Sequence, residues 1–362
     1  MQQSIEATPT DTSFTRRVTE FIGQAWAWLF LLILIIVFSF TGQGFFSLFN
    51  FQSIGANMAI ITIMALGQTF VIISGGIDLS TGFVMGMASV VGALAMTSLV
   101  DPVTTPLPLI VLVGLVGGVG AGLVAGLING WLIARLQVPP FIVTLGMLGI
   151  SRGTGFLFSG GMPIPVKVEG LGQLGNGYLF YYHANTGLTF LNPGPGLSGA
   201  DLRQLTGILP HPLTLMIVLG LICYWILSRT KFGLYTYAIG GNREAALRAG
   251  IPVERHTISV YMVSAALAAL AGVLYNTRFT NGAANAGDAL LMDSIAAVVI
   301  GGASLFGGEG TIIGTVIGAL LIAVIQNGLV ILGINPFWQF IAVGVVIILA
   351  VLVDRARARV VK

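Results

Sequence analysis

Groups that could do covalent chemistry are sparse in this sequence. None of its three lysines follows a glycine, so the Gly-Lys-Ser/Thr loop that cradles nucleotide phosphates is missing. The three histidines, His183, His211 and His256, lie far apart, and none has a second ligand residue at the spacing of a metal site. We therefore expect no catalytic residue, no metal site and no cofactor in this chain.

The densest cluster of charge lies at residues 229–256, in a chain that is 56% hydrophobic and only 8% charged. Gly240-Gly241-Asn242 interrupts this segment before a run of good helix formers, residues 243–249, which Gly250 closes. Asn242 is a candidate N-cap for a short helix, and the signs of Glu244 and Arg248 suit the two ends of its dipole. Such a helix between two spans can transmit force. The plainer alternative is a loop ordered only by its caps.

Amide and acid side chains also occur within or beside the apolar stretches. Asp78 follows a Gly-Gly pair in a break between two such stretches, where a carboxylate is costly unless it faces a cavity or a partner. Asp78 or Ser80 could instead cap a helix that begins near Thr81, and this structural role is favoured over solute contact. Most such residues could simply bond to a neighbouring helix. As a candidate translocation pathway we select Asn57, Gln68, Asp78, Ser80, Asn129, Asp293 and Asn327.

The elements that position these residues are predicted to be membrane-spanning helices. The mean hydropathy is +0.95, and a span needs about 20 mostly apolar residues whose backbone groups bond within the helix. We expect an all-α polytopic membrane protein with about ten transmembrane helices. Three stretches, 141–158, 212–228 and 288–303, are short enough to be tilted, broken or re-entrant. The other seven are 26–48, 52–73, 81–99, 109–134, 257–276, 311–333 and 337–353.

Basic residues set the predicted orientation, because short cytoplasmic loops accumulate Lys and Arg. With an even number of spans and a cytoplasmic N-terminus, 12 of the 16 basic residues face the cytoplasm, and Arg152 lies within a span. Only Lys167, Arg203 and Arg278 face outward. Both termini and the segment 229–256 are therefore predicted to be cytoplasmic.

The predicted membrane domain covers residues 25–354. Residues 1–24 are predicted to be a flexible cytoplasmic tail rather than a cleaved signal, because the apolar run that follows is too long and has no small-x-small cleavage site. Residues 355–362 form a basic cytoplasmic tail. The extracytoplasmic loop at 159–211 is rich in Gly, Pro, Asn and Tyr, and could cover a pathway entrance or meet a soluble partner.

Four segments resemble one family of membrane proteins. Thr230-Lys231-Phe232-Gly233, followed by Gly240-Gly241-Asn242-x-Glu244-Ala245-Ala246-x-x-x-Gly250-Ile251, looks like the coupling loop of permease subunits of ribose-type sugar importers in the ATP-binding cassette superfamily. Residues 75–82, with Gly-Gly-Ile-Asp-Leu-Ser, and residues 129–146 and 301–310 resemble three further characteristic stretches of that family. The four segments occur in order and cover most of the chain from about 50 to 350.

The resemblance implies a membrane subunit of the bacterial cytoplasmic (inner) membrane that moves a monosaccharide by alternating access. The implied partners are a cytoplasmic ATPase that binds ATP and Mg, a second permease copy or paralogue, and an extracytoplasmic sugar-binding protein; no nucleic acid is implied. In that family the coupling loop docks into a groove on the ATPase. This assigns the coupling role here to Gly240, Gly241, Asn242, Arg243, Glu244, Ala245, Ala246, Arg248 and Gly250.

Two alternatives stay open. The first is a permease of the same superfamily for a nucleoside, a signalling furanose or a branched-chain amino acid. The second is a facilitator that works without ATP, which would leave the capped cytoplasmic helix unexplained. A pathway for a sugar would need weak, replaceable hydrogen bonds rather than a tight site.

Overall fold

The protein is described here from a computed structural model. The model describes residues 12–349 apart from 102, 185, 194–200, 202–204, 336 and 346–347, with the backbone alone for 12–26. The helices are α1 (Thr12–Thr41), α2 (Leu48–Ile73), α3 (Thr81–Ser98), α4 (Leu107–Arg135), α5 (Pro140–Ser159), α6 (Leu171–Asn176), α7 (His211–Arg229), α8 (Lys231–Gly241), α9 (Arg243–Arg248), α10 (Val253–Phe279), α11 (Asp288–Ile300) and α12 (Ile312–Ile331).

Seven of the described helices are long and apolar enough to cross a membrane: α2, α3, α4, α5, α7, α10 and α12. The stretches predicted at 141–158 and 212–228 are continuous helices of 20 and 19 residues, so the alternative of a broken helix is wrong for both. Helix α11 has only 13 residues, or roughly 20 Å, which confirms that the stretch at 288–303 is short. The last predicted span, 337–353, is helical over residues 337–345 and then runs past the described residues.

Helix α1 begins earlier than the sequence suggested. Residues 12–24, expected to belong to a flexible tail, are helical and continuous with the apolar part of α1. The segment contains no proline or glycine before Gly23 to interrupt a helix that the apolar run already stabilises. Residues 1–11 of the predicted N-terminal tail and the C-terminal tail 355–362 lie outside the described residues.

The centre of the bundle is α2, most of whose side chains are buried, whereas α4, α5 and α7 expose apolar side chains along most of their length. Exposed residues such as Val116 and Val124 of α4 point away from the bundle, as lipid-facing side chains do. The other face of α4 is a glycine seam against α10. A Cβ built at Gly126 would lie 2.6 Å from the Tyr261 carbonyl oxygen, so the glycine permits close backbone contact between the two helices.

The predicted all-α fold is wrong for the loop expected to be extracytoplasmic, residues 159–211, which contains β-strands. Strand β1 (Ile164–Pro165) pairs with β5 (Asn281–Gly282), and a three-stranded antiparallel sheet has the order β3 (Gly187–Phe190), β2 (Tyr178–His183), β4 (Thr206–Pro210). The run Tyr-Leu-Phe-Tyr-Tyr-His in β2 consists largely of residues with high β-propensity, and it pairs with strands on both sides. The fold is therefore mostly helical, with a small sheet on one end.

Candidate functional site

The charged segment after α7 folds into two short helices rather than one. Thr230 caps α8 by accepting a hydrogen bond from the Phe232 N–H at 3.2 Å. Gly240 and Gly241, expected to break the chain, are instead the last residues of α8, and the chain turns at Asn242. The Asn242 Oδ1 accepts a hydrogen bond from the Ala245 N–H at 2.9 Å, which confirms the predicted N-cap of α9.

Helix α9 has one buried face and one exposed face. Ala246 is buried against Ile239 and Val253, so its side chain contacts this chain and is not available to a docking partner. The other face carries Leu247, which is 64% exposed, together with Glu244 and Arg248. The last two form an ion pair of 3.7 Å across one helical turn, which is too exposed to contribute much stability.

Helix α9 ends as the sequence predicted. Gly250 has a φ of +79°, and its N–H bonds to the Leu247 carbonyl, as in a glycine-terminated helix. The exposed surface of this helix also includes Arg243, Ala245 and Arg248.

Gly240 brings the segment into direct backbone contact with two other breaks in the chain. A Cβ at Gly240 would overlap the Ile73 carbonyl oxygen at the end of α2 and would lie 2.6 Å from the Gly308 nitrogen. The Gly308 N–H donates to the same Ile73 carbonyl at 2.8 Å. The three glycine-rich segments named from the sequence therefore meet at one point, which we call the glycine joint (Ile73–Gly76, Gly240 and Gly307–Gly308).

A tyrosine reinforces the glycine joint. The Tyr237 hydroxyl of α8 donates to the Gly310 carbonyl at 2.6 Å. Burial raises the pKa of Tyr237, so the hydroxyl stays protonated and remains a donor across the physiological pH range. Helix α8 is thereby attached to the 301–310 loop by a side chain as well as by backbone contact.

Four of the seven candidate pathway residues form a buried polar cluster around Asp78. The Asp78 Oδ1 accepts hydrogen bonds from the Ser80 N–H at 2.9 Å and the Ser80 hydroxyl at 2.6 Å, and its Oδ2 accepts from Ser264 of α10 at 3.3 Å. The Asn129 amide of α4 donates to the Ser80 Oγ at 3.0 Å, and Gln68 of α2 donates to the Asp78 carbonyl. All five residues are fully buried.

This cluster fastens the break after α2 to the neighbouring helices. The predicted N-cap is wrong, since neither Asp78 nor Ser80 makes a side-chain capping bond to the first turn of α3. The Asp78 carboxylate instead holds the turn that leads into α3 and ties it to α10, while Asn129 ties it to α4. None of these side chains lines either of the two cavities described below.

The other three candidate residues lie at or next to a cavity of about 300 Å³ between α2 and α12. Asn57 and Asn327 line it, together with Ser53, Gln326 and Gln339 and three aliphatic side chains. The Asn327 Nδ2 donates to Asn50 at 2.9 Å, whereas its Oδ1 has no partner among the described residues. That oxygen is buried and unpaired among the described residues, in the wall of the cavity.

Two charged side chains next to this cavity form hydrogen bonds with the amide side chains that line it. The Arg278 guanidinium donates to the Asn57 Oδ1 at 2.9 Å and to the Ala56 carbonyl. Asp293 accepts a hydrogen bond from the Gln326 Nε2 at 2.9 Å. Asp293 therefore supports the cavity through Gln326 instead of lining it, and the described lining is made of amides, one hydroxyl and aliphatic groups.

Sequence reasoning missed several residues of these sites. Leu247 and Arg278 carry no motif that marks them. Tyr237 stands in the stretch that resembles the family's coupling loop but was assigned no role, and only the packed structure shows what these three residues contact. It also overlooked a Gly-x-Ser-x-Gly pattern around Ser151, which in hydrolases places a nucleophile on a strand-to-helix turn. Here Ser151 is buried in the middle of α5, so the pattern carries no nucleophile.

The helical bundle, its amide-lined cavity and the helix pair attached to the glycine joint define a multi-pass membrane permease. The sequence matches the family described as "Branched-chain amino acid transport system / permease component" over residues 50–351. The chain therefore belongs to this family.

Curated relatives agree over most of the chain. It is 37% identical to the ribose import permease protein of Bacillus subtilis (strain 168), covering 88% of this chain and 89% of the relative. It is 36% identical to the fructose import permease protein of Rhizobium meliloti, covering 87% and 80%. It is 35% identical to the xylose transport system permease protein of Escherichia coli (strain K12), covering 88% of each. No solved structure matches the chain.

These matches confirm the predicted family. The chain is the membrane permease subunit of an importer of the ATP-binding cassette type, and it resides in the bacterial cytoplasmic membrane.

Proposed function

We propose that this permease subunit moves a monosaccharide across the membrane through a pathway that includes the cavity between α2 and α12. The observation that carries the proposal is the lining of that cavity, where amides and a hydroxyl alternate with aliphatic groups. A sugar presents hydroxyl groups that can exchange one such weak hydrogen bond for the next. The three relatives named above are described as permeases for ribose, fructose and xylose, which supports the same solute class.

The lining also argues against the other solutes considered. A branched-chain amino acid carries an ammonium and a carboxylate, which call for charged or strongly polar partners when desolvated. Arg278 and Asp293 are already engaged with Asn57 and Gln326. A nucleoside base favours an aromatic surface on which to stack, and no aromatic side chain is among the described lining residues.

The energy for transport is proposed to come from a separate ATPase chain that binds ATP and Mg. The exposed face of α9 offers a docking surface for it, composed of Arg243, Glu244, Ala245, Leu247 and Arg248. A second copy of this permease or a paralogue completes the pathway in this proposal. An extracytoplasmic sugar-binding protein delivers the solute at the end of the molecule that carries the small sheet.

Coupling follows from the connections of the glycine joint. A displacement of α9 is passed through α8 to Gly240, which touches the end of α2 and the loop that leads into α12. Those two helices line the cavity. The docking state of α9 can therefore bias the side on which the cavity opens, which is the requirement for coupling two sites.

Uptake into proteoliposomes tests this proposal. The permease is reconstituted with its ATPase and binding protein, and uptake of labelled ribose, fructose, xylose and leucine is measured with and without ATP. We expect ATP-dependent uptake of at least one sugar and none of leucine. Accumulation without ATP, or of leucine alone, would contradict the proposal.

A pair of variants tests the cavity itself. Gln326→Leu removes a lining amide that Asp293 orients, and we expect it to reduce sugar uptake about tenfold, the effect of losing one or two hydrogen bonds at about 1 kcal/mol each. The matched control is Gln43→Leu, an exposed amide in the turn between α1 and α2, which should transport normally. Equal uptake by the two variants would show that the cavity is not part of the translocation pathway.

A further inference from the structure

A second cavity, of about 280 Å³, lies at the opposite end of α2 from the first. Its walls come from the break after α2, the link between α4 and α5, the start of α9 and the first turns of α10. It is close to the lower end of the range of small-molecule sites, roughly 300–1,000 Å³. None of the residues of the proposed translocation cavity lines it.

Tyr261 of α10 lines this cavity, and its hydroxyl lies against Gly76 of the cavity wall without a partner among the described residues. Tyr261 is only 1% exposed, and its Oη makes no hydrogen bond to any described residue. The adjoining Gly76 allows this close approach, because any Cβ there would collide with the tyrosine oxygen. A buried hydroxyl that lines a cavity and lacks a partner is a group prepared for a ligand or an ordered water.

The remaining walls define the chemistry of a ligand. Thr257 and Gln137 add a hydroxyl and an amide, and Pro139 and Pro140 offer an apolar surface of the kind that packs against the C–H face of a sugar ring. Arg243 lines the cavity from the N-terminus of α9, and it forms no salt bridge with a described residue. Arginine is well suited to bind a phosphate group in a bidentate manner.

We propose that this cavity binds a phosphorylated monosaccharide from the cytoplasm. Its phosphate pairs with Arg243, its hydroxyl groups bond to Tyr261, Thr257 and Gln137, and its ring packs on the two prolines. Such a compound is formed when a sugar is phosphorylated after entry. The proposed binding site does not depend on which solute the permease transports, whereas the proposed feedback on import rests on transport of a monosaccharide.

A ligand in this cavity would join elements that coupling requires to move. It bridges the start of α9 to the break after α2, beside the glycine joint, and to the link between α4 and α5. Because a ligand stabilises the conformation that it binds best, an occupied cavity would favour the arrangement seen here and slow the transport cycle. Import would then slow as the phosphorylated sugar accumulates.

Calorimetric titration of the full-length permease in lipid nanodiscs tests the binding step. The probes are ribose 5-phosphate, fructose 6-phosphate, ribose, fructose and inorganic phosphate. We expect a sugar phosphate to bind at least tenfold more tightly than the corresponding neutral sugar and than phosphate alone. Equal affinity for the neutral sugar would overturn the assignment of a phosphate to Arg243, and the absence of any binding would overturn the site.

Variants assign the contacts. Tyr261→Phe and Thr257→Val should each weaken sugar-phosphate binding about fivefold, and Arg243→Gln should weaken it about tenfold or more. The control Tyr275→Phe removes a hydroxyl from the same helix at a site remote from the cavity and should bind normally. Unchanged affinity in Thr257→Val and Arg243→Gln would overturn the proposal even if Tyr261→Phe fails to fold. The titration involves no ATPase and no transport, so its result is separate from that of the uptake experiment.

Discussion

At the residue scale, the adjacent glycines Gly240 and Gly241 differ in what surrounds them. Both are in the last turn of α8, yet Gly240 touches the backbone of two other segments while Gly241 has open space where a Cβ would point. The sequence motif treats the two as a pair. Only the packing shows that a single one of them requires the absence of a side chain.

Gly240→Ala is therefore expected to destabilise the protein by about 1–3 kcal/mol, the usual cost of forcing extra volume into a packed site. Gly241→Ala should be neutral or slightly stabilising, since alanine is the better helix former. Thermal unfolding of both variants in the same detergent makes the comparison. Equal melting temperatures would contradict the glycine joint.

Asp78 provides a second test at this scale. Replacing it by alanine leaves the Ser80 N–H, the Ser80 hydroxyl and the Ser264 hydroxyl without their acceptor, at about 1–3 kcal/mol for each buried group that stays unpaired. We expect Asp78→Ala to lower the yield of folded protein in the membrane and its resistance to denaturant. A variant that folds normally but does not transport would instead indicate that Asp78 belongs to the translocation pathway.

Asp101 is the matched control for Asp78. It accepts similar bonds from the Val103 N–H at 3.0 Å and the Thr104 hydroxyl at 2.7 Å, but it lies on an exposed turn between α3 and α4. The bond from Val103 lowers the pKa of Asp101, so the carboxylate is ionised at neutral pH. Because water can replace the lost acceptor there, Asp101→Ala should fold like the parent protein.

At the scale of elements, helix α9 shows what a motif can and cannot predict. The cap at Asn242, the helical run and the terminating Gly250 follow from local chemistry, and all three are confirmed. The orientation of the helix depends on what it packs against. For that reason Ala246 was grouped with the coupling residues although it faces inward, and Leu247 was left out although it faces solvent.

Leu247→Asp is expected to weaken docking of the ATPase by about 1–2 kcal/mol, because it places a charge at the centre of the exposed apolar contact. Glu244→Arg reverses a charge on the same face and should act in the same direction. Substrate-stimulated ATP hydrolysis in the reconstituted complex is the measurement. Glu169→Arg, the same charge reversal at an exposed position on the loop between β1 and α6, is the control.

Ala246→Trp should behave differently from these docking variants. Its side chain would be forced between Ile239 and Val253, so we expect a loss of thermal stability along with the loss of coupling. If Ala246→Trp instead melts like the parent protein while coupling fails, the buried face of α9 has been assigned wrongly.

At the scale of the whole molecule, loops that are predicted to lie on the same side of the membrane contact one another. At one end, Arg135 pairs with Glu254 at 3.1 Å. The glycine joint at the same end brings together the break after α2, Gly240 and the 301–310 loop, which are predicted to lie in or next to the cytoplasm. At the other end, β1 pairs with β5, and Arg278 reaches Asn57. Contacts within the chain thus agree with the grouping obtained from the distribution of basic residues.

Cysteine labelling tests the direction of that grouping across the membrane. Cys223 is the only cysteine and is buried, so single cysteines can be introduced with little background. Arg248→Cys should react with a membrane-impermeant maleimide only in inverted vesicles, and Lys167→Cys only from outside intact cells. The reverse pattern would invert the proposed orientation of both termini.

The sequence predicts those parts of the fold that depend only on local residue preferences and on the apolar length needed to cross lipid. Apolar length located α2, α4, α5 and α12 to within a few residues, because every spanning segment must satisfy its own backbone. The three-stranded sheet was missed because its strands are short and are specified by pairing, in particular by the pairing of β2 with β4, which follows only after a long stretch of chain. The Asp78 cluster was misassigned for a related reason, since its partners Asn129 and Ser264 are brought together only by tertiary packing.

The glycine joint also has a genetic consequence. Where a side chain fills a contact, an enlarged neighbour can be rescued by trimming that side chain. At Gly240 the opposing atoms are the Ile73 carbonyl and the Gly308 nitrogen, which every amino acid except proline presents in the same form. A selection for second-site revertants of Gly240→Ala should therefore return few point substitutions at those two positions. It should favour changes that reroute the main chain, such as insertions or deletions in the 301–310 loop.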